Sequence, residues 1–245
     1  MARRELCEKL RDELKYDIIT FDYRGFGDST GKPTEVGIVQ DARFVYEWVE
    51  KLTRGQRRIY LWGHSLGAAV ACQLAARLSN DTSKLPVDQC RSTLVYFHRS
   101  ESRWSHHGSA ISRCSSSIAH PLVLLSKRRT FDLSVDPCSC LQFFRWQPWF
   151  SGLAERALRR NHLKFNTREH LLRLNCPCVI LHADDDLTIP YIHSKQLLQI
   201  GMAAREHHRQ KKTSLRFRMD MISYHRAGYG HRLIYQAPKL VPALK

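Results

Sequence analysis

The sequence predicts a single α/β domain: a mostly parallel sheet with helices on both faces. Three observations carry this expectation. Apolar, β-branched runs alternate with helical periodicities through the first eighty residues in the order β, α, β, α, which requires parallel strands joined by right-handed crossovers. A short apolar strand, residues 59–62, runs into Gly63-His64-Ser65-Leu66-Gly67 and then a small-residue helix. A second buried run, residues 178–182, leads through an acidic turn into another helical pattern. A chain of 245 residues is long enough for one such domain to enclose a core.

The elements follow in order. Leu6, Leu10 and Leu14 are spaced four apart, which predicts a helix over residues 5–14. Residues 16–23 (YDIITFDY) read as a strand, and residues 24–33 as a Gly-rich loop without the spacing of a phosphate cradle. A helix is expected over 34–52, a strand over 59–62 and a helix over 68–78. Residues 90–150 break the pattern. They are dense in Ser, Arg, His and Trp, hold only Glu101, Asp132 and Asp136 as acids, and form an irregular lid-like or aberrant insert. Within them, 121–125 (PLVLL) is a short strand candidate and 141–150 an aromatic run. Order resumes with helical segments at 154–158 and 167–174, a strand at 178–182 and a helix at 192–200. A charged stretch follows at 205–212. The chain then closes with a strand at 215–222, a Gly-containing loop at 225–231 and a last helix over 233–244 interrupted by Pro238 and Pro242.

The formal net charge of +16 favours anionic surfaces. The basic residues form no recognisable nucleic-acid motif, so a solvated basic surface is expected and nucleic-acid binding is not. The eight cysteines include C-x-C pairs at 138/140 and 176/178, but no C-x-x-C and no histidine at finger spacing. Free thiols are therefore expected, with no structural zinc; Cys72 and Cys178 serve as small buried hydrophobes. The first residues lack a signal-peptide apolar core, and no run of eighteen apolar residues occurs, so no membrane-spanning segment is expected in this sequence.

The chemistry centres on Ser65. In a strand–G-x-S-x-G–helix context the serine sits on a sharp turn, with glycines where a side chain would collide and a helix N-terminus to favour developing negative charge. The N–H of Leu66 can then face an oxyanion. A serine nucleophile needs a base and a carboxylate to orient it. Asp186, just past a strand and four residues before Pro190, fits the carboxylate, with Asp184 and Asp185 as rivals. His231, in the loop after the last strand, fits the base, with His225 as its rival.

Residues 22–29 (DYRGFGDS), 62–67 (WGHSLG), 181–186 (LHADDD) and 228–235 (GYGHRLIY) resemble the α/β-hydrolase-domain-containing protein 12 family and its B-type members. The likeness covers residues 16–86 and from 163 to the end. It implies an α/β-hydrolase fold with Ser65 as nucleophile, Asp186 as acid and His231 as base. It further implies a cofactor-free serine lipase that cleaves monoacylglycerols and lysophospholipids such as lysophosphatidylserine at the endoplasmic reticulum membrane. The family's early strands and the loop supplying a second oxyanion N–H have no counterpart here, so the chain resembles a truncated member. A catalytically inactive fragment that binds lipid or protein is the alternative that this difference suggests.

Overall fold

The computed structural model describes residues 2–80, 94–97, 122–127, 165–187, 189–210, 218–225, 228–231 and 233–242. Helix α1 (Ala2–Leu14) leads into strand β1 (Asp17–Asp22). Helix α2 (Glu35–Leu52) starts at Thr34, whose hydroxyl accepts the Gly37 N–H at 3.2 Å and so satisfies one of the helix's orphan donors. Strand β2 (Ile59–His64) and helix α3 (Leu66–Asn80) flank the serine. Strands β3 (Leu94–Phe97) and β4 (Leu122–Lys127) follow, then helix α4 (Thr167–Leu171) and strand β5 (Cys178–Ala183). Helix α5 (Tyr191–Gln210), strand β6 (Met219–Tyr224) and a 3₁₀ turn (Ile234–Gln236) complete the described elements.

The six strands form one sheet in the order β1-β4-β2-β3-β5-β6, and each neighbouring pair is parallel. Successive side chains of a strand face opposite sides, and the two cores follow that alternation. Ile19, Phe21, Ile59, Leu61, Cys178 and Ile180 join the larger core under α2, α3 and α4. Ile18, Tyr60, Trp62, Val179, Leu181 and Ile222 join the other, beneath α1 and the C-terminal turn. Burial on both faces explains why β2 and β5 read as continuous apolar runs rather than alternating ones. Ala68, Ala71, Ala75 and Ala76 of α3 are buried in the larger core.

Several expectations are corrected. The span 90–150 contributes two strands to the sheet. One, Leu122–Lys127, continues the run expected at 121–125, and it sits between β1 and β2. The other, Leu94–Phe97, is too short to display a periodicity among its Ser- and Arg-rich neighbours. The helix expected at 192–200 runs on to Gln210, absorbing most of the charged stretch. The last helix, expected over 233–244, is only the Ile234–Gln236 turn followed by further turns; Pro238 and Pro242 offer no N–H to continue it. The helical segment at 154–158, the aromatic run at 141–150 and the start of the strand expected at 215 lie outside the described residues. Among the described residues Cys7, Cys72, Cys176 and Cys178 form no disulfide with one another, and Cys72 and Cys178 are fully buried. Among the described residues no helix is long and apolar enough to cross a membrane.

Candidate active site

The serine turn is built from backbone geometry. Ser65 lies between β2 and α3 with φ of 61°, the left-handed region that costs a residue with a Cβ roughly 1–3 kcal/mol. Its carbonyl accepts the Ala68 N–H at 3.0 Å, closing the turn. A Cβ added at Gly63 would lie 2.2 Å from the Gly67 oxygen and 2.4 Å from the Ala68 Cα. Strand and helix therefore approach so closely that only glycine fits at Gly63. Leu66 is the first residue of α3, and an N–H in a helix's first turn has no acceptor within the helix.

The three consecutive aspartates are sorted by the turn after β5. Asp184 accepts from His225 Nδ1 at 3.0 Å in a surface pair. The Asp185 carboxylate accepts the Gly230 N–H at 2.8 Å, tying this turn to the loop that carries His231. Asp186, buried, accepts His231 Nδ1–H at 2.7 Å on one oxygen and the Ile189 N–H at 3.0 Å on the other. Gly228 and Gly230 take φ of 71° and 47°, conformations that turn the loop so His231 can face inward. The structure thus joins Asp186 to His231, and it places the rival pair, Asp184 and His225, apart at the surface. With Nδ1 donating to the carboxylate, a neutral His231 ring carries its lone pair at Nε2.

His64, the variable residue of the motif, connects the serine turn to this loop. Its Nε2–H donates to the His231 carbonyl at 3.0 Å, and the two rings lie 5.0 Å apart, centre to centre. Ser65 Oγ and His231 Nε2 are among the buried side-chain polar atoms of the described residues that have no hydrogen-bond partner. Buried polar atoms are rarely unpaired, and a catalytic role is one of the reasons an exception persists.

Sequence reasoning missed His64 and the pair His182–Ser194, and it named Asp185 only as a rival carboxylate rather than as the tie to the His231 loop. His182 is buried on β5 and faces Asp186, and its burial lowers the imidazole's affinity for a proton. Its only signal in the sequence is its place four residues before Asp186. Among the described residues no group of three or more His, Cys, Asp or Glu could hold a metal ion.

The family model described as the alpha/beta hydrolase family matches residues 4–243. Lysophosphatidylserine lipase ABHD12 of Xenopus tropicalis is 30% identical over 239 residues, covering 97% of this chain and 51% of that protein. Protein ABHD12B of Homo sapiens is 33% identical over 233 residues, covering 95% of this chain and 52% of that one. The chain spans about half the length of the curated relatives it matches. In fold it is similar to the Pyrococcus furiosus esterase Pf2001, with a TM-score of 0.56 at 13% identity over 98% of this chain and 72% of that one. A left-handed serine between a parallel strand and a helix, with a histidine–aspartate pair on the loops after later strands, agrees with these likenesses: the chain belongs to the alpha/beta hydrolase family.

Proposed function

We propose that the protein is a serine ester hydrolase in which Ser65, His231 and Asp186 form the catalytic triad and the Leu66 N–H supports the oxyanion. The observation that carries this reading is the pair of buried, unpartnered atoms, Ser65 Oγ and His231 Nε2. The other nitrogen of that histidine is bound to a buried carboxylate. In this mechanism His231 Nε2 takes the Ser65 proton as Oγ attacks the acyl carbonyl. The oxyanion collapses, the ester bond breaks and His231 returns the proton to the leaving alcohol. Water, deprotonated by His231, then attacks the acyl-enzyme, and as the second oxyanion collapses His231 returns that proton to Ser65 Oγ and the fatty acid is released. Asp186 stays ionised throughout and stabilises the imidazolium that forms at each step.

For substrate we propose acyl esters of lysophospholipids, lysophosphatidylserine above all, and of monoacylglycerols. Support comes from the lysophosphatidylserine lipase activity for which the ABHD12 relatives are named and from the net charge of +16, which suits an anionic headgroup. We propose further that the protein works on the face of a membrane, that of the endoplasmic reticulum by its family likeness. Phe44, Trp48 and Leu52, four residues apart along α2, are 72%, 42% and 64% exposed and offer a bilayer an apolar stripe.

Fluorophosphonate labelling of the purified chain beside Ser65→Ala, with circular dichroism on both, tests the reading. Labelling confined to the serine-bearing protein supports it, and hydrolysis of lysophosphatidylserine and monoacylglycerol then tests the substrate class. A folded protein that does not label overturns it in favour of a binding fragment.

A further inference from the structure

Asp186 has a second histidine beside it that the proposed reaction does not use. His182 is 3% exposed, and its Nε2 lies 3.3 Å from the Ile189 carbonyl oxygen and 3.5 Å from Asp186 Oδ2. Both neighbours are acceptors, so Nε2 must carry the proton. The Nδ1 then holds the lone pair and accepts the hydroxyl hydrogen of Ser194, which is 1% exposed on α5 and 2.5 Å away. Tyr191 packs edge-on against the ring, with centroids 5.6 Å apart and planes at 87°, which fixes its tilt.

Ile189 closes the arrangement. Its N–H donates to the Asp186 carboxylate while its carbonyl receives the His182 proton. A neutral imidazole thus turns the positive end of its N–H dipole toward the oxygen that also binds His231, and it pins the short turn that carries the carboxylate. A cation here would compete with His231 for the same oxygen; a neutral ring with one fixed tautomer does not.

We propose that His182, its tautomer set by Ser194, is a positioning residue that holds Asp186 in the orientation His231 requires. The inference rests on the Ser65–His231–Asp186 reading above. A purely packing role would make only shape matter. This role makes the donor at Nε2 matter, and glutamine can place an amide N–H there while leucine cannot.

The test compares His182→Gln, His182→Leu, Ser194→Thr and Ser194→Ala in the full chain. Three quantities are read: kcat and KM on a p-nitrophenyl acyl ester, the melting temperature, and the downfield proton resonance of His231 Nδ1–H. His182→Gln and Ser194→Thr should keep near wild-type kcat. His182→Leu and Ser194→Ala should lose kcat at little-changed KM, by about 100-fold for His182→Leu, as expected when a catalytic group is misplaced by about an ångström. The resonance should move upfield in the two damaging variants alone. Folded His182→Leu or Ser194→Ala with wild-type kcat and an unmoved resonance overturns the proposal, as does His182→Gln behaving like His182→Leu. Should the wild type show no turnover, the triad reading fails by itself; the resonance still decides whether His182 and Ser194 hold the Asp186–His231 pair.

Discussion

Replacing Ser65 by glycine should make the protein more stable than replacing it by alanine, although both changes remove the nucleophile. The reason is the φ of 61° at this position. For a residue with a Cβ the left-handed conformation costs roughly 1–2 kcal/mol, because Cβ crowds the following carbonyl. Glycine avoids that cost but gives the unfolded chain extra freedom worth about 0.5–1 kcal/mol. The difference leaves Ser65→Gly ahead of Ser65→Ala by about 1 kcal/mol, or about 2–4 °C in melting temperature for a chain of this size. Ala69→Gly provides the control of opposite sign four residues away. It lies within α3, where glycine costs about 1 kcal/mol relative to alanine. Urea denaturation of the three variants measures all of this without an activity assay. A Ser65→Gly protein no more stable than Ser65→Ala would refute the strained turn, and with it the argument that the fold spends stability to hold this hydroxyl on its turn.

Three other outcomes follow from the same geometry. Gly63→Ala places a Cβ 2.2 Å from a backbone oxygen that cannot swing aside, so it should abolish fluorophosphonate labelling and lower stability by about 1–3 kcal/mol or more, read by labelling and melting together. Asp186→Asn removes the negative charge while keeping the shape, and kcat should fall by about 10⁴-fold with the fold intact by circular dichroism. Burial lowers the His182 pKa, so the unfolded chain takes up this proton first as the pH falls. The stability due to the neutral ring is whole above about pH 6.5 and is lost progressively as the pH drops from there toward the lowered folded value. Urea midpoints at pH 7.5 and 5.5 should therefore differ more in the wild type than in His182→Gln, and equal differences would count against a buried neutral ring.

What the sequence reveals and what it hides divide along physical lines. The serine turn is legible because it is local: strand, two glycines and helix lie within twenty residues, and each residue type answers a steric demand of its neighbours. The carboxylate is less legible. Asp184, Asp185 and Asp186 are chemically identical and adjacent, and only the direction of each side chain after β5 sends one to His225, one to Gly230 and one to His231. His182 hides inside a run that reads simply as a buried strand, since nothing in a one-dimensional pattern shows that α5 brings Ser194 beneath it. The 3₁₀ turn at Ile234–Gln236 replaces an expected helix because the apolar residues there pack on α1 without needing helical spacing, and two prolines forbid it. Strand order is hidden most deeply. The run at 121–125 predicts a strand, but no residue in it specifies a place between β1 and β2.

That place sets a timetable. β2, which delivers Ser65, hydrogen-bonds β4 on one side and β3 on the other, and both are synthesised after it. β1 meets β4 about a hundred residues downstream, so β1 and β2 wait for the middle of the chain before the sheet can close around them. Until then the apolar faces of β1 and β2 stand uncovered together with their unpaired edges. A nascent chain halted before residue 122 would carry the whole serine motif without the sheet that holds it, so the capacity to react at Ser65 should emerge late in synthesis and abruptly.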